Sequence, residues 1–63
     1  MFYLFEVESR HNWDGYFEVF IKAYDEYEAE VRFNELFPFD LYSGCLEGEY
    51  TEEEAEILGF DVY

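Results

Sequence analysis

The stretch Tyr16-Phe17-Glu18-Val19-Phe20-Ile21-Lys22-Ala23-Tyr24-Asp25-Glu26-Tyr27-Glu28-Ala29 passes from one hydrophobic period into another. Over its first nine residues Phe17, Val19, Ile21 and Ala23 alternate with Tyr16, Glu18, Phe20, Lys22 and Tyr24, the period-two signature of a strand. Asp25 then offers a side-chain acceptor at a helix N-cap, and Glu28 stands three residues on, as in a capping box. Acids in that first turn also suit the helix dipole. Ala29, Phe33, Leu36 and Phe37 follow at helical spacing as one apolar stripe. Pro38 stops the helix, because the residue before a proline is pushed out of helical geometry.

Working outward, Phe2 to Ser9 alternates in the same way, with Tyr3, Phe5 and Val7 on one face and Phe2, Leu4, Glu6 and Glu8 on the other. Asp14-Gly15 lies between the two alternating runs and favours a hairpin turn. The two strands therefore pair antiparallel, their odd-numbered residues facing a core. Further on, residues 39–43 form a loop or lead into a third strand that ends near Tyr50. Thr51-Glu52-Glu53-Glu54 repeats the capping-box pattern ahead of Ala55 and Leu58, with Gly59 placed as a helix stop. Residues 60–63 can add a short last strand. The order is β-β-α-β, then a short helix and a possible strand. This predicts an α+β domain over residues 1–63: a small antiparallel sheet with one helix packed on one face. Strand order is not readable from the sequence.

Composition narrows the functional classes. The 63 residues hold 17 Asp and Glu against 3 Lys and Arg, a formal charge of −14 at pH 7, yet 51% are hydrophobic and 25% aromatic. That apolar content separates the chain from disordered polyanions, which lack it. A domain this small buries only about 60% of its unfolded surface. With three cations it cannot neutralise a phosphate backbone, which excludes direct nucleic-acid binding, and anionic membrane surfaces are disfavoured alike. The apolar run Met1 to Phe5 is too short to span a bilayer and lacks the basic start of a secretory leader. Together with the single Cys45, which has no internal disulfide partner, this predicts a cytoplasmic protein.

Catalytic constellations are missing. One His11 and one Cys45 come without a recognisable orienting group, and no glycine-rich phosphate loop is present. Carboxylate pairs are so abundant that no single pair stands out as an acid/base couple. The Glu52-Glu53-Glu54-x-Glu56 run has neither the spacing nor the mixed ligands of a calcium loop. The expectation is a protein that is not an enzyme, with no catalytic residues, metal site or cofactor.

Placement of the acids carries the functional reading. Glu6, Glu8 and Glu18 share a solvent face with only Lys22 to offset them, and Glu47 and Glu49 alternate along the third strand, about 6.6 Å apart. Glu26, Glu28 and Glu30 charge the first helix, where Arg32 can pair with Glu28. Two acidic edges are expected: Glu47, Glu49, Glu52, Glu53, Glu54 and Glu56 form one, and Glu26, Glu28 and Glu30 the other. Regularly spaced carboxylates on a rigid scaffold match a row of phosphates and attract a basic protein. Trp13 on the hairpin and Tyr27 on the outer side of the helix are candidate aromatic anchors. Phe2, Leu4, Tyr16, Phe20 and Tyr24 lie on the sheet face away from the helix. They either meet a partner or are covered, by the C-terminal segment or by a second copy.

Short length, the hairpin-then-helix order over residues 2–37 and dense carboxylates together resemble the small acidic proteins that bacteriophages direct against host defences, anti-CRISPR proteins and DNA mimics among them. The junction Ala23-Tyr24-Asp25-Glu26-Tyr27-Glu28-Ala29-Glu30 is similar to the strand-to-helix junction of many small phage proteins. The resemblance implies inhibition of a DNA- or RNA-binding host protein, for example a CRISPR effector complex, by occupying its basic channel; the chain itself is expected to be a monomer or homodimer. The alternative is an interaction module that binds through its aromatics, its charge serving solubility.

Overall fold

The computed structural model describes residues 1–11 and 15–63. Its elements are β1 (Phe2–Ser9), β2 (Tyr16–Lys22), α1 (Glu26–Leu36), β3 (Tyr42–Tyr50), α2 (Glu52–Leu58) and β4 (Asp61–Val62). They form an α+β domain around one four-stranded sheet of order β3-β1-β2-β4. β1 pairs antiparallel with β2 and with β3.

β4 pairs parallel with β2, so the sheet is mixed where the sequence predicted an antiparallel one. The reason lies in the connection. A tight hairpin would reverse the chain, whereas a crossover through a helix returns it in the same direction. β3 at one edge and β4 at the other both run with β2, and α2 carries the chain between them.

α1 covers the face built from the odd-numbered strand residues. Tyr3, Phe5, Val7, Val19, Ile21 and Ala23 are buried there with Ala29, Phe33 and Phe37. The rings of Phe5 and Phe33 stack with centroids 4.4 Å apart. Phe33 lies so close to β3 that a Cβ on Gly44 would sit 2.2 Å from its ring. Leu36, expected in the stripe, is 45% exposed. α1 ends there, and Phe37, outside helical geometry at φ −125°, turns inward in its place while its N–H still reaches the Phe33 carbonyl at 2.8 Å.

The C-terminal segment covers part of the other face, while Tyr16 and Tyr24, expected on that face, stay exposed. Leu4 and Phe20 are buried under Ala55, with Phe2 and Tyr50 packed at the margins. Phe20 meets Phe2 and Tyr50 edge-on at 6.3 and 5.7 Å, the geometry that aromatic quadrupoles favour. α2 is set by local chemistry. Thr51 and Glu54 close a capping box, and Gly59 takes the left-handed C-cap at φ 76°, its N–H donating to the Ala55 carbonyl.

Candidate acidic interaction surface

α2 has seven residues and buries only Ala55, so it roofs one end of its face and leaves the other end open. That open end carries Glu6, Glu8 and Glu18. Glu6 stands directly opposite Glu18 on β2 and opposite Cys45 on β3. The β1–β3 register shifts between Leu4 and Phe5, where Gly48 and Leu46 are the partners and Glu47 is the extra residue. Glu47 stands within hydrogen-bond reach of Glu6, so a protonated Glu6 carboxyl can donate to it. Lost solvation, first, and then the bond to Glu47 and the charges of Glu47, Glu18 and Glu8 raise the Glu6 pKa above the ordinary carboxylate range. Like charges directly opposite one another across a sheet are destabilising.

The predicted site residues are dispersed rather than gathered. Glu26 lies in the exposed first turn of α1, and Glu49 opposite Tyr3. Burial, followed by the charges of Glu49, Asp25 and Glu26, raises the Tyr3 phenol above its usual pKa. The register shift thus puts Glu49 on the α1 side and Glu47 on the α2 side, where the sequence predicted both on one face. Glu28 is occupied by its own fold: its carboxylate accepts from the Tyr24 N–H at 3.1 Å while its N–H donates to Asp25 at 2.8 Å. Glu30 lines a groove between α1 and β3.

On the opposite face, Glu52 and Glu56 flank a cavity of about 320 Å³ with Phe2, Phe60 and Val62, and Glu53 is exposed. The Glu54 carboxylate accepts from the Thr51 N–H at 3.0 Å, so it too serves a helix cap. Tyr27 is 77% exposed on α1. Trp13 lies outside the described residues. The convergence of Glu6 and Glu18 was legible from alternation on the hairpin, but Glu47 joins them only through strand order and a bulge.

The cations offset this field weakly. Arg10 donates from Nε to the carbonyls of Phe39 at 2.7 Å and Tyr42 at 3.3 Å, with its guanidinium 4.6 Å over the Phe39 ring. The Lys22 ammonium sits 5.9 Å from the Phe2 ring. Arg32 lines a cavity of about 440 Å³ with Met1, Tyr24, Glu28 and Tyr63. No Lys or Arg follows Arg32 in the chain.

Among the described residues no group of three or more His, Cys, Asp or Glu side chains is arranged to hold a metal ion, and no helix is long and apolar enough to cross a membrane. No protein-family model, curated protein or solved structure matches the chain. Chemically, the surface offers carboxylates on both faces of the sheet that attract cationic groups.

Proposed function

We propose that this protein is a non-enzymatic inhibitor that binds a basic nucleic-acid-binding protein of a bacterial cytoplasm, such as a CRISPR effector complex. Its carboxylates take the place of phosphates in the DNA or RNA groove of that target. The observation that carries this reading is the crowding of Glu6, Glu18 and Glu47 on the open end of the sheet. An arrangement that opposes folding points to a use outside folding, since local rules are broken chiefly at functional sites. A basic groove relieves the repulsion on contact, and long-range attraction speeds the encounter.

The test is a pull-down from nuclease-treated bacterial lysate, eluted with stepwise salt and identified by mass spectrometry. The reading expects one DNA- or RNA-handling complex released at moderate salt. Many basic proteins in equal amounts would reduce the surface to an ion exchanger and overturn it. A second reading has its own observation: Tyr24, Tyr27 and Phe39 are 89%, 77% and 76% exposed. If these aromatics anchor the partner, the complex survives high salt, and Tyr24→Ala or Tyr27→Ala abolishes it.

A further inference from the structure

β3 is the longest strand of the sheet, with nine residues, and it lies at an edge with β1 as its only neighbour in the strand order. The Arg10 N–H donates to the Leu41 carbonyl at 2.8 Å, which makes that pair a hydrogen-bonded one. Antiparallel ladders alternate bonded and non-bonded pairs. Glu8–Ser43 and Glu6–Cys45 are therefore bonded, and the backbone groups of Gly44 and Leu46 point away from β1. Beyond the bulge the even-numbered residues of β1 keep bonding to β3, so Glu49, opposite Tyr3, also points outward. The result is a row of backbone donors and acceptors open to an added strand.

Open edges invite pairing, and charge controls which strands are accepted. Glu47 and Glu49 lie on β3, Glu26 and Glu30 on the adjoining helix, and no Lys or Arg occurs after residue 32. Two copies of this edge would set two acidic strands side by side, a like-charge pairing that opposes self-assembly. A strand bearing Lys or Arg meets the opposite condition. Beside the edge, a groove of about 360 Å³ lies between α1 and β3, lined by Glu30, Asn34, Phe39, Tyr42 and Leu46 among others. It provides room for alternate side chains of an incoming strand, the feature that gives specificity in strand addition. Arg10, at its rim, is turned onto the Phe39 ring and two carbonyls.

We propose that the open edge of β3 captures an extended, Lys/Arg-bearing segment of the protein partner as a fifth strand of the sheet. This rests on the reading above that the partner is basic, and it names the mode of contact. The probe is a Lys-Val alternating heptapeptide added to the full-length ¹⁵N-labelled protein, with a Lys-Pro alternating heptapeptide of equal charge as control, because proline cannot supply the ladder donors. At ten times its dissociation constant the Lys-Val peptide is expected to slow amide exchange of Gly44, Leu46 and Glu49 about tenfold, and the Lys-Pro peptide to leave it unchanged. Equal binding by both peptides without protection in β3 would overturn strand capture and leave the acidic reading standing. Protection confined to the β4 edge, or no binding by the Lys-Val peptide, would overturn the capture as well, while the lysate pull-down judges the acidic reading separately.

Discussion

Glu6 is buried enough to lose solvation and is faced by three further acids, so its carboxyl holds a proton more tightly in the folded chain than in the unfolded one. Linkage fixes the sign. With the folded pKa raised, the native state binds more protons than the unfolded state between the two pKa values, so stability falls as pH rises through that window and stays lowered above it. Replacing the ionised group by its neutral isostere removes the penalty. Glu6→Gln is therefore expected to melt higher than the wild type at neutral pH, and the two curves should converge as the pH drops through the carboxylate range near about pH 4. Circular dichroism melts at fixed ionic strength check this, and a lower melting point for the variant at neutral pH would show that the carboxylate makes a stabilising contact instead. Gly44 poses a different constraint, that of space: a methyl there would meet the Phe33 ring at 2.2 and 2.4 Å, while Phe33 is itself pinned between Phe5 and Phe37. Gly44→Ala is expected to cost about 1–3 kcal/mol, the usual range for overpacking a tight core, as read from urea denaturation.

At the level of elements, the sequence was legible wherever structure depends on neighbours a few residues away. Alternation marked β1 and β2. Asp25 with Pro38 bounded α1, and Thr51, Glu54 and Gly59 bounded α2, because caps and breakers act within one turn. What could not be read is what a long-range crossover decides: that β3 joins the free side of β1, that α2 roofs the opposite face, and that β4 lands parallel to β2. The bulge at Glu47 was hidden for the same reason, and it divides Glu47 from Glu49. The candidate site thus separates into acids free to meet a partner and acids committed to the fold. Glu54 belongs to the second group, and a charge reversal there would confuse lost binding with lost capping. Thr51→Ala removes the cap acceptor and is expected to cost about 1 kcal/mol. Glu54→Gln keeps an acceptor for the Thr51 N–H and is expected to leave the urea midpoint close to wild type, so any loss of partner binding in this variant reports the charge alone.

Across the whole molecule the question is how much of the −14 charge acts at a distance. The Cα frame extends 33 × 23 × 15 Å, and acids lie on both faces of the sheet. The Debye length is about 10 Å at 0.1 M ionic strength and about 8 Å at physiological strength. Repulsion between the α1 and α2 faces is therefore largely screened under cellular conditions. Glu6 faces Glu18 across adjacent strands and lies beside Glu47, well within one Debye length, so salt screens this crowding less than it screens repulsion between the faces. Two components of different range should then separate in one experiment. The melting temperature is expected to climb steeply with NaCl at low ionic strength and to flatten near about 0.15 M, where the Debye length has fallen below the spacing of the faces. Glu6→Gln should run above the wild type and nearly parallel to it after the plateau, since its gain comes from the short-range part that salt screens least. Calcium chloride at matched ionic strength should trace the sodium curve if screening alone operates. A further rise specific to calcium would mean that the carboxylates of the open sheet face gather a cation as a group, and the electrostatic case for a protein partner would then have to be remade around that ion.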